Sequence, residues 1–370
     1  MKALSRREFI RTAAAAAALP AVGASLLRAD QEFTVNGLPA SVLGRTGLKV
    51  TRISLGGVLV TEPSLLVKVI DEGINFVHTS AEYTNGRSLE AFGKAFKDKG
   101  LRQKVVLAIK ERPEAIDSCL KTLGTDYIDI LVPPLTSLPE FDDQSLPEAF
   151  EKAKKAGKAG FLGWAGHNNT TEAFRKGTQV GWFDVTLMSY ANIKNPSFLE
   201  AAKQASQAGI GIFTMKGLPK RNAVGASEEE RNTYTTLCSS MLGRQYSHSV
   251  LASMGSFQSL DFFRGMLENR LGYFDPGLEE RYWASQEGSY CAMCGACEKV
   301  CPEGRFVPPI IRYRMYWRDY GMKDYARACY SKLERKAPEL SPGRLELCES
   351  VCPRRLPIRE MVAEAHALLG

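Results

Sequence analysis

From about residue 40 to residue 275, short runs of apolar, often β-branched residues alternate with longer stretches in which apolar positions recur every three or four residues. The first pattern is that of strands buried on both faces and the second that of amphipathic helices, so their alternation predicts parallel strands joined by crossover helices. Strands are predicted at Arg52 to Gly56, Asn75 to Thr79, Val105 to Ile109, Ile128 to Val132, Gly160 to Ala165, Val185 to Tyr190, Gly211 to Met215 and Val250 to Ser253. Helices fall between them at Ser88 to Lys97, Pro113 to Leu123, Leu146 to Lys155, Thr171 to Gly177, Ser197 to Ala208 and Gln258 to Leu267. Eight strands suggest an α/β fold closed as a (β/α)8 or TIM barrel over residues 30–275, in which reactive groups sit just past the carboxyl ends of the strands.

The pattern breaks at both ends of the chain. Ser5-Arg6-Arg7-Glu8-Phe9-Ile10 precedes a uniformly small, apolar stretch from Ala13 to Leu19. That stretch is too short for a convincing membrane span and lacks the two-faced pattern of a surface helix. Residues 1–29 read instead as a twin-arginine export signal, cleaved after Ala24 or Ala29 or kept as an anchor. The implied partner is the twin-arginine export machinery, and the implied location is periplasmic or otherwise extracytoplasmic.

Residues 276–370 carry seven of the nine cysteines, six of them in two Cys-Pro runs. Cys291, Cys294, Cys297 and Cys301-Pro302 have the C-x2-C-x2-C-x3-C-P spacing of a bacterial ferredoxin, which points to a small α-helical ferredoxin-like domain holding iron and sulfur. A structural zinc site usually presents two separated C-x2-C hooks instead. Reading back from Cys352-Pro353 with the same spacing puts Cys348 in the third slot, but Pro342 and Leu345 in the first two. One 4Fe-4S cluster is therefore expected. The crossed rule assigns it Cys291, Cys294, Cys297 and Cys352, with Cys301 as the alternative fourth ligand. Cys301 and Cys348 then share the empty second site, where an oxidising compartment favours a disulfide. Cys119, Cys238 and Cys329 are expected to be buried small hydrophobes.

With 44% hydrophobic and 24% charged residues over 370 positions, the chain has the composition of an ordinary globular protein. The net charge of +7 invites a nucleic-acid reading, but +4 of it sits in the first 29 residues, leaving +3 for the rest. No polyanion or nucleic-acid partner follows from that balance. Arg312, Arg314, Arg318, Arg354, Arg355 and Arg359 form a basic group in the tail, read as a solvated helix face ahead of a dock for an acidic redox partner.

Four segments in order carry a likeness: Leu43-Gly44-Arg45-Thr46-Gly47-Leu48-Lys49-Val50, Gly73-Ile74-Asn75-Phe76, Glu82-Tyr83-Thr84-Asn85-Gly86-Arg87-Ser88 and Leu123-Gly124-Thr125-Asp126-Tyr127-Ile128-Asp129. Over roughly residues 40 to 370 the chain resembles the aldo-keto reductase family, in particular its branch with a ferredoxin-like tail. The resemblance implies hydride exchange between a nicotinamide, NAD(P), and a small carbonyl or alcohol substrate. By the family's pattern Tyr83 is the proton donor and Lys110 the cation that lowers its pKa. Two other positions depart from it. His78 stands where the family has an Asp, and Pro134 where it has a His. Lys110 is thus expected to lack a carboxylate partner. His78 either orients Lys110 or serves as an acid near neutral pH, or is a hydrogen-bonded strand-end residue with no catalytic task.

His167 and Asn168 fall where the family lines its nicotinamide pocket, and the loop Lys216-Gly217-Leu218-Pro219-Lys220-Arg221 falls where barrels of this kind grip phosphates. The next loop, Ser253 to Ser259, has no Lys or Arg, leaving only the Gly255 and Ser256 amides at a helix start to meet an anion. Two readings stay open: an exported oxidoreductase with one cluster and a redox partner, or a catalytically degenerate barrel serving as a binding or electron-transfer module.

Overall fold

The computed structural model describes residues 33–370 except 98–99, 220–224, 245, 270, 335 and 337–338. The expected export signal and the loop residues Lys220 and Arg221 lie outside the described residues.

The chain enters through an antiparallel meander, β1 (Phe33–Val35), β2 (Leu38–Val42) and β3 (Lys49–Thr51), which the sequence pattern did not announce. The eight parallel strands then follow: β4 (Ile53–Gly56), β5 (Phe76–Thr79), β6 (Val106–Ile109), β7 (Ile128–Leu131), β9 (Ala159–Gly166), β10 (Val185–Ser189), β11 (Gly211–Met215) and β12 (Ser249–Ser253). Pairing of β12 with β4 and of β9 with β10 closes them into a barrel. A two-residue strand, β8 (Pro134–Leu135), lies along the carboxyl end of β9. Pro134, at the family's His position, is thus held in extended backbone beside Ala165.

Barrel helices α1 (Pro63–Asp71), α2 (Arg87–Phe96), α3 (Ile116–Leu123), α4 (Ser145–Lys155), α5 (Thr170–Val180), α6 (Pro196–Gln207), α7 (Glu228–Arg244), α8 (Phe257–Asn269) and α9 (Pro276–Ser285) cover the strands. Trp283 of α9 is 1% exposed within the barrel core, so the barrel's packing runs on beyond residue 275. Inside the ring, Phe76, Val106, Ile130, Val185, Leu187 and Phe213 form a second apolar cluster. Leu43, Leu48 and Val50 of the meander join it and plug the amino-terminal mouth. Each fully buried Leu, Val or Phe side chain contributes roughly 1.5–3 kcal/mol. The plug needs Gly44, because a Cβ there would sit 2.3 Å from the Gly211 nitrogen.

The tail is all helical: α10 (Ala296–Val300), a 3-10 turn at Pro302–Phe306, α11 (Val307–Arg318), α12 (Lys323–Ser331), α13 (Pro342–Ser350) and α14 (Ile358–Leu369). It has its own core, in which Ile310, Ala326, Cys348 and Ala365 are fully buried. Its two Cys-Pro steps are equivalent in order, α10 then Cys301-Pro302 then α11, and α13 then Cys352-Pro353 then α14. Prolines there end one helix and let the next start in a new direction.

Candidate active site and cysteine cavity

The carboxyl-terminal mouth of the barrel gathers side chains from four loops, and the tail forms its roof. After β5 the chain turns through Glu82 and Tyr83, with Thr84 and Asn85 in the left-handed region at φ 49° and 55°. Lys110 follows β6, and its Nζ meets Glu82 Oε2 at 3.1 Å. The expectation that Lys110 lacks a carboxylate is therefore corrected. Glu82, the residue before Tyr83, fills that role, and Lys110 in turn holds its carboxyl below the usual range against the opposing effect of burial.

Lys110 Nζ lies over the face of the Tyr83 ring, 5.3 Å from its centroid, rather than being hydrogen-bonded to the hydroxyl. Burial raises the Tyr83 pKa, and Tyr316 and Glu82 raise it further, so in this arrangement the phenol stays firmly protonated. The sequence reading expected Lys110 to lower it; burial and the cation's position over the ring account for the difference.

His78 points inward from β5 with no exposed surface, edge-on to Tyr83 at 5.6 Å and to Phe213 at 6.1 Å. Neither ring nitrogen has a hydrogen-bond partner. Burial, with the charge of Lys110 second, pushes its pKa down to about 3, so the ring is neutral at pH 7. It is neither an acid near neutral pH nor the hydrogen-bonded strand-end residue expected of a bystander; it is the floor under Tyr83.

His167 and Asn168 leave the end of β9, and His167 Nδ1 and Asn168 Oδ1 are buried without a partner. Burial holds the His167 pKa well below its ordinary value, with Arg312, Lys216 and Lys110 adding to the effect. The charges of three cations thus reach this ring. Lys216, at φ 61°, places its Nζ 4.8 Å from the centroid of Tyr316 in the tail. Gly217 packs where a Cβ would meet the Met241 sulfur, and Leu218 is half-buried against the barrel core. After β12 the Ser256 amide donates to Ser259 Oγ at 3.1 Å, so it is not left open to an anion as the sequence reading proposed.

The tail arginines divide. Arg318, Arg355 and Arg359 are exposed as expected, Arg318 in a surface ion pair with Glu364 and Arg359 with Glu346 and Glu349, whereas Arg314 is half-buried against Glu364. Arg354 is 8% exposed and donates to the Ala191 and Trp283 carbonyls of the barrel. Arg312 is half-buried over the barrel mouth beside Tyr313. Cys119 and Cys238 are fully buried in the barrel core as expected, whereas Cys329 on α12 is half-buried and close enough to Glu82, Arg312 and Lys110 to feel their charges.

Cys291, Cys294, Cys297, Cys348 and Cys352 line one cavity walled by apolar side chains of α11 and by Leu356 and Ile358. Its volume is about 20 Å³. Met293 at φ 56° and Gly295 at φ 75° coil the loop around it. Backbone amides of Met293 and Ala296 meet the Cys291 and Cys294 sulfurs, the concave array of N–H groups that suits anionic sulfur. Burial pushes the Cys291 thiol up to about 12 and raises Cys294 and Cys297 as well, so these thiols need a cation to ionise. Cys301 is not part of the cavity wall. It hydrogen-bonds with Cys348, and both are free thiols rather than the expected disulfide. Among the described residues, no three His, Cys, Asp or Glu side chains converge as they would on a single metal ion.

The cysteine loop rests on the loop after β9. Asn169 donates to Glu298 at 2.5 Å, and the Thr170 amide donates to the Met293 carbonyl at 3.5 Å.

Residues 61–176 match the model of the Aldo/keto reductase family. A putative voltage-gated potassium channel subunit beta of Schizosaccharomyces pombe is 30% identical over 165 residues, which is 36% of this chain and 47% of that protein. Aldo-keto reductase YhdN of Bacillus subtilis is 30% identical over 113 residues, 23% of this chain and 34% of that protein. The matched stretches thus span between about a third and a half of these relatives. An aldo-keto reductase from Bacillus halodurans solved in its holo form shares the fold, with a TM-score of 0.53 at 18% identity over 67% of this chain and 96% of that one. Residues 61–176 are thus similar in sequence to the Aldo/keto reductase family, and the closed eight-stranded barrel shares its fold with the Bacillus halodurans structure.

Proposed function

We propose that the protein is an aldo-keto-reductase-like oxidoreductase, exported by the twin-arginine machinery, that interconverts a small carbonyl and its alcohol and holds one 4Fe-4S cluster on Cys291, Cys294, Cys297 and Cys352. The observation that carries this reading is that the Tyr83–Lys110 pair stands in the same barrel mouth as the β9 loop on which the cysteine loop rests. The donor set fits a cluster: the thiols surround a common apolar space rather than one ion, and backbone amides face their sulfurs. When bound, such a cluster supplies single electrons to and from a redox partner. Tyr83 Oη gives one proton to the substrate oxygen as the carbonyl is reduced and takes it back on oxidation, while a bound organic hydride donor would supply the electron pair and the hydrogen on carbon, because one cluster passes only single electrons. Lys110, moving from the ring face toward the hydroxyl, favours the phenolate that this leaves. Glu82 holds Lys110 in the site between turnovers.

NAD(P) fits less well. Its nicotinamide has open polar atoms at His167 and Asn168, but the β12 loop offers its phosphates no cation and the Ser256 amide is engaged. No step is routed through it.

The degenerate-barrel reading is favoured by one observation, the cation sitting on the Tyr83 ring rather than at its hydroxyl. Anaerobic purification separates the two. The proposal expects about four irons per chain, the content of one cubane, lost in Cys294→Ser and kept in Cys119→Ser. It also expects carbonyl or alcohol turnover that Tyr83→Phe abolishes without loss of iron. Iron near eight, or retained turnover in Tyr83→Phe, defeats it.

A further inference from the structure

Arg312 reaches down from α11 toward the barrel mouth, stacks 5.1 Å from the Tyr313 centroid and donates to the Tyr313 hydroxyl at 3.3 Å. Among the described residues no carboxylate lies within ion-pair distance of it. Lys216 approaches from the β11 loop, sandwiching Tyr316 between barrel and tail. Lys110 makes a third cation, and its partner Glu82 is already engaged. The other nearby carboxylate, Glu111, has turned its oxygen to the Arg112 amide. All three cations act on His167, whose Nδ1 is buried and unpaired next to the equally unpaired Asn168 Oδ1. A half-buried guanidinium outside any ion pair and orphaned polar atoms are costly unless a ligand satisfies them.

We propose that Arg312 and Lys216 form an anion-recognising roof over Tyr83 and Lys110, which selects a substrate bearing a carboxylate next to the carbonyl or alcohol that reacts. The roof adjoins the turn that carries the proton donor: the Tyr316 ring lies 5.7 Å from that of Tyr325 on α12, and α12 packs on the Tyr83–Gly86 turn. Arg312 is close enough to Glu82 to act on its charge, and Tyr316 close enough to act on Tyr83. Lys216 leaves β11 in a loop with which barrels of this kind also grip nucleotide phosphates, so phosphate and NADPH are the ligands that the carboxylate has to outcompete. A guanidinium fork matches a carboxylate with two parallel hydrogen bonds, and the aromatic walls of Tyr313 and Tyr316 suit a flat 2-oxo acid. The substrate class is then a small 2-oxo or 2-hydroxy acid. This rests on the oxidoreductase reading above but is tested without turnover.

The experiment is anaerobic calorimetric titration of the full iron-loaded chain with pyruvate and benzoylformate, each against its own neutral carboxamide. At least one acid is expected to bind about tenfold or more tightly than its amide, the scale of a hydrogen bond to a charged group. Arg312→Gln should erase that preference, Arg312→Lys should keep part of it, and Lys216→Gln should weaken it. Iron content and circular dichroism report whether each variant is folded. Equal binding of acid and amide overturns the proposal, as does an unchanged preference in folded Arg312→Gln, or a preference shown only toward inorganic phosphate and NADPH. A protein that passes this test yet never turns over its acid refutes the oxidoreductase reading and leaves the roof standing.

Discussion

At the scale of single residues, the site is built from polar groups held where water cannot reach them. His78 is the extreme case, a neutral imidazole with both nitrogens unpaired beneath Tyr83. Its folded pKa of about 3 lies below the 6.5 of an unperturbed His, so on acidification the unfolded chain takes up a proton that the folded one refuses. Stability is therefore full above about pH 6.5 and falls as pH drops toward 3. His167 and His248 are shifted in the same direction, so the test is a comparison. His78→Leu should be as stable as the parent at pH 7, or more stable by about 1–3 kcal/mol, because it removes two orphaned polar atoms. In denaturant titrations its stability should also fall less between pH 6.5 and 4. A loss of stability at pH 7 with an unchanged acid slope would show a partner for the ring. The sequence could place His78, Tyr83 and Lys110 at strand ends, since strand ends follow from pattern. It could not supply Glu82 as the partner of Lys110, because that pairing depends on how the Tyr83 turn folds back. Nor could it separate the inward Arg312 and Arg354 from the paired Arg314 and Arg318, as charges on a tail helix look alike until the barrel beneath is placed.

At the scale of elements, the predicted strands lie within a residue or two of the observed ones, because a strand buried on both faces writes itself as an unbroken apolar run. The helix at Glu228–Arg244 was missed. It is rich in Ser and Thr and sinks Tyr234, Leu237, Cys238 and Met241 among polar neighbours, so its apolar stripe is faint. The cysteine loop shows most plainly how one element depends on another. Gly295 sits at φ 75°, and a Cβ there would come within 1.4 Å of Asn169 Oδ1. Only Gly satisfies both the turn and the contact. Gly295→Ala should cost about 1–2 kcal/mol for the left-handed backbone alone, with the clash against Asn169 adding to it. The expected signature is faster amide hydrogen exchange across residues 167–170 as well as 291–300, with the barrel helices unaffected. Faster exchange in the cysteine loop alone would mean that the two loops are not mechanically joined.

At the scale of the whole molecule, the tail is stitched to the barrel around the site. Arg354 donates to the carbonyls of Ala191 and Trp283 and stands 5.5 Å from the Trp283 ring centroid. Tyr290 gives its hydroxyl to the Lys216 carbonyl at 3.2 Å, and with Met315 it packs on Ala191. These contacts bind the β10 and β11 loops to the segment that precedes the cysteines, so barrel mouth and cysteine cavity form one body. Removing Arg354 strips two buried carbonyls of their donor and leaves a hole at the seam, and breaking such a buried charged contact costs about 1.5–3 kcal/mol. Arg354→Ala should therefore lower thermal stability and, more tellingly, split a single unfolding transition into two, with the tail melting first and releasing the iron of the proposed cluster. Tracking iron-dependent visible absorbance and far-ultraviolet circular dichroism in one anaerobic melt decides it. If the two signals still fall together in Arg354→Ala, the tail does not depend on this seam. If they separate already in the parent protein, barrel and tail are independent bodies, and the roof over Tyr83 is a contact that the molecule can open.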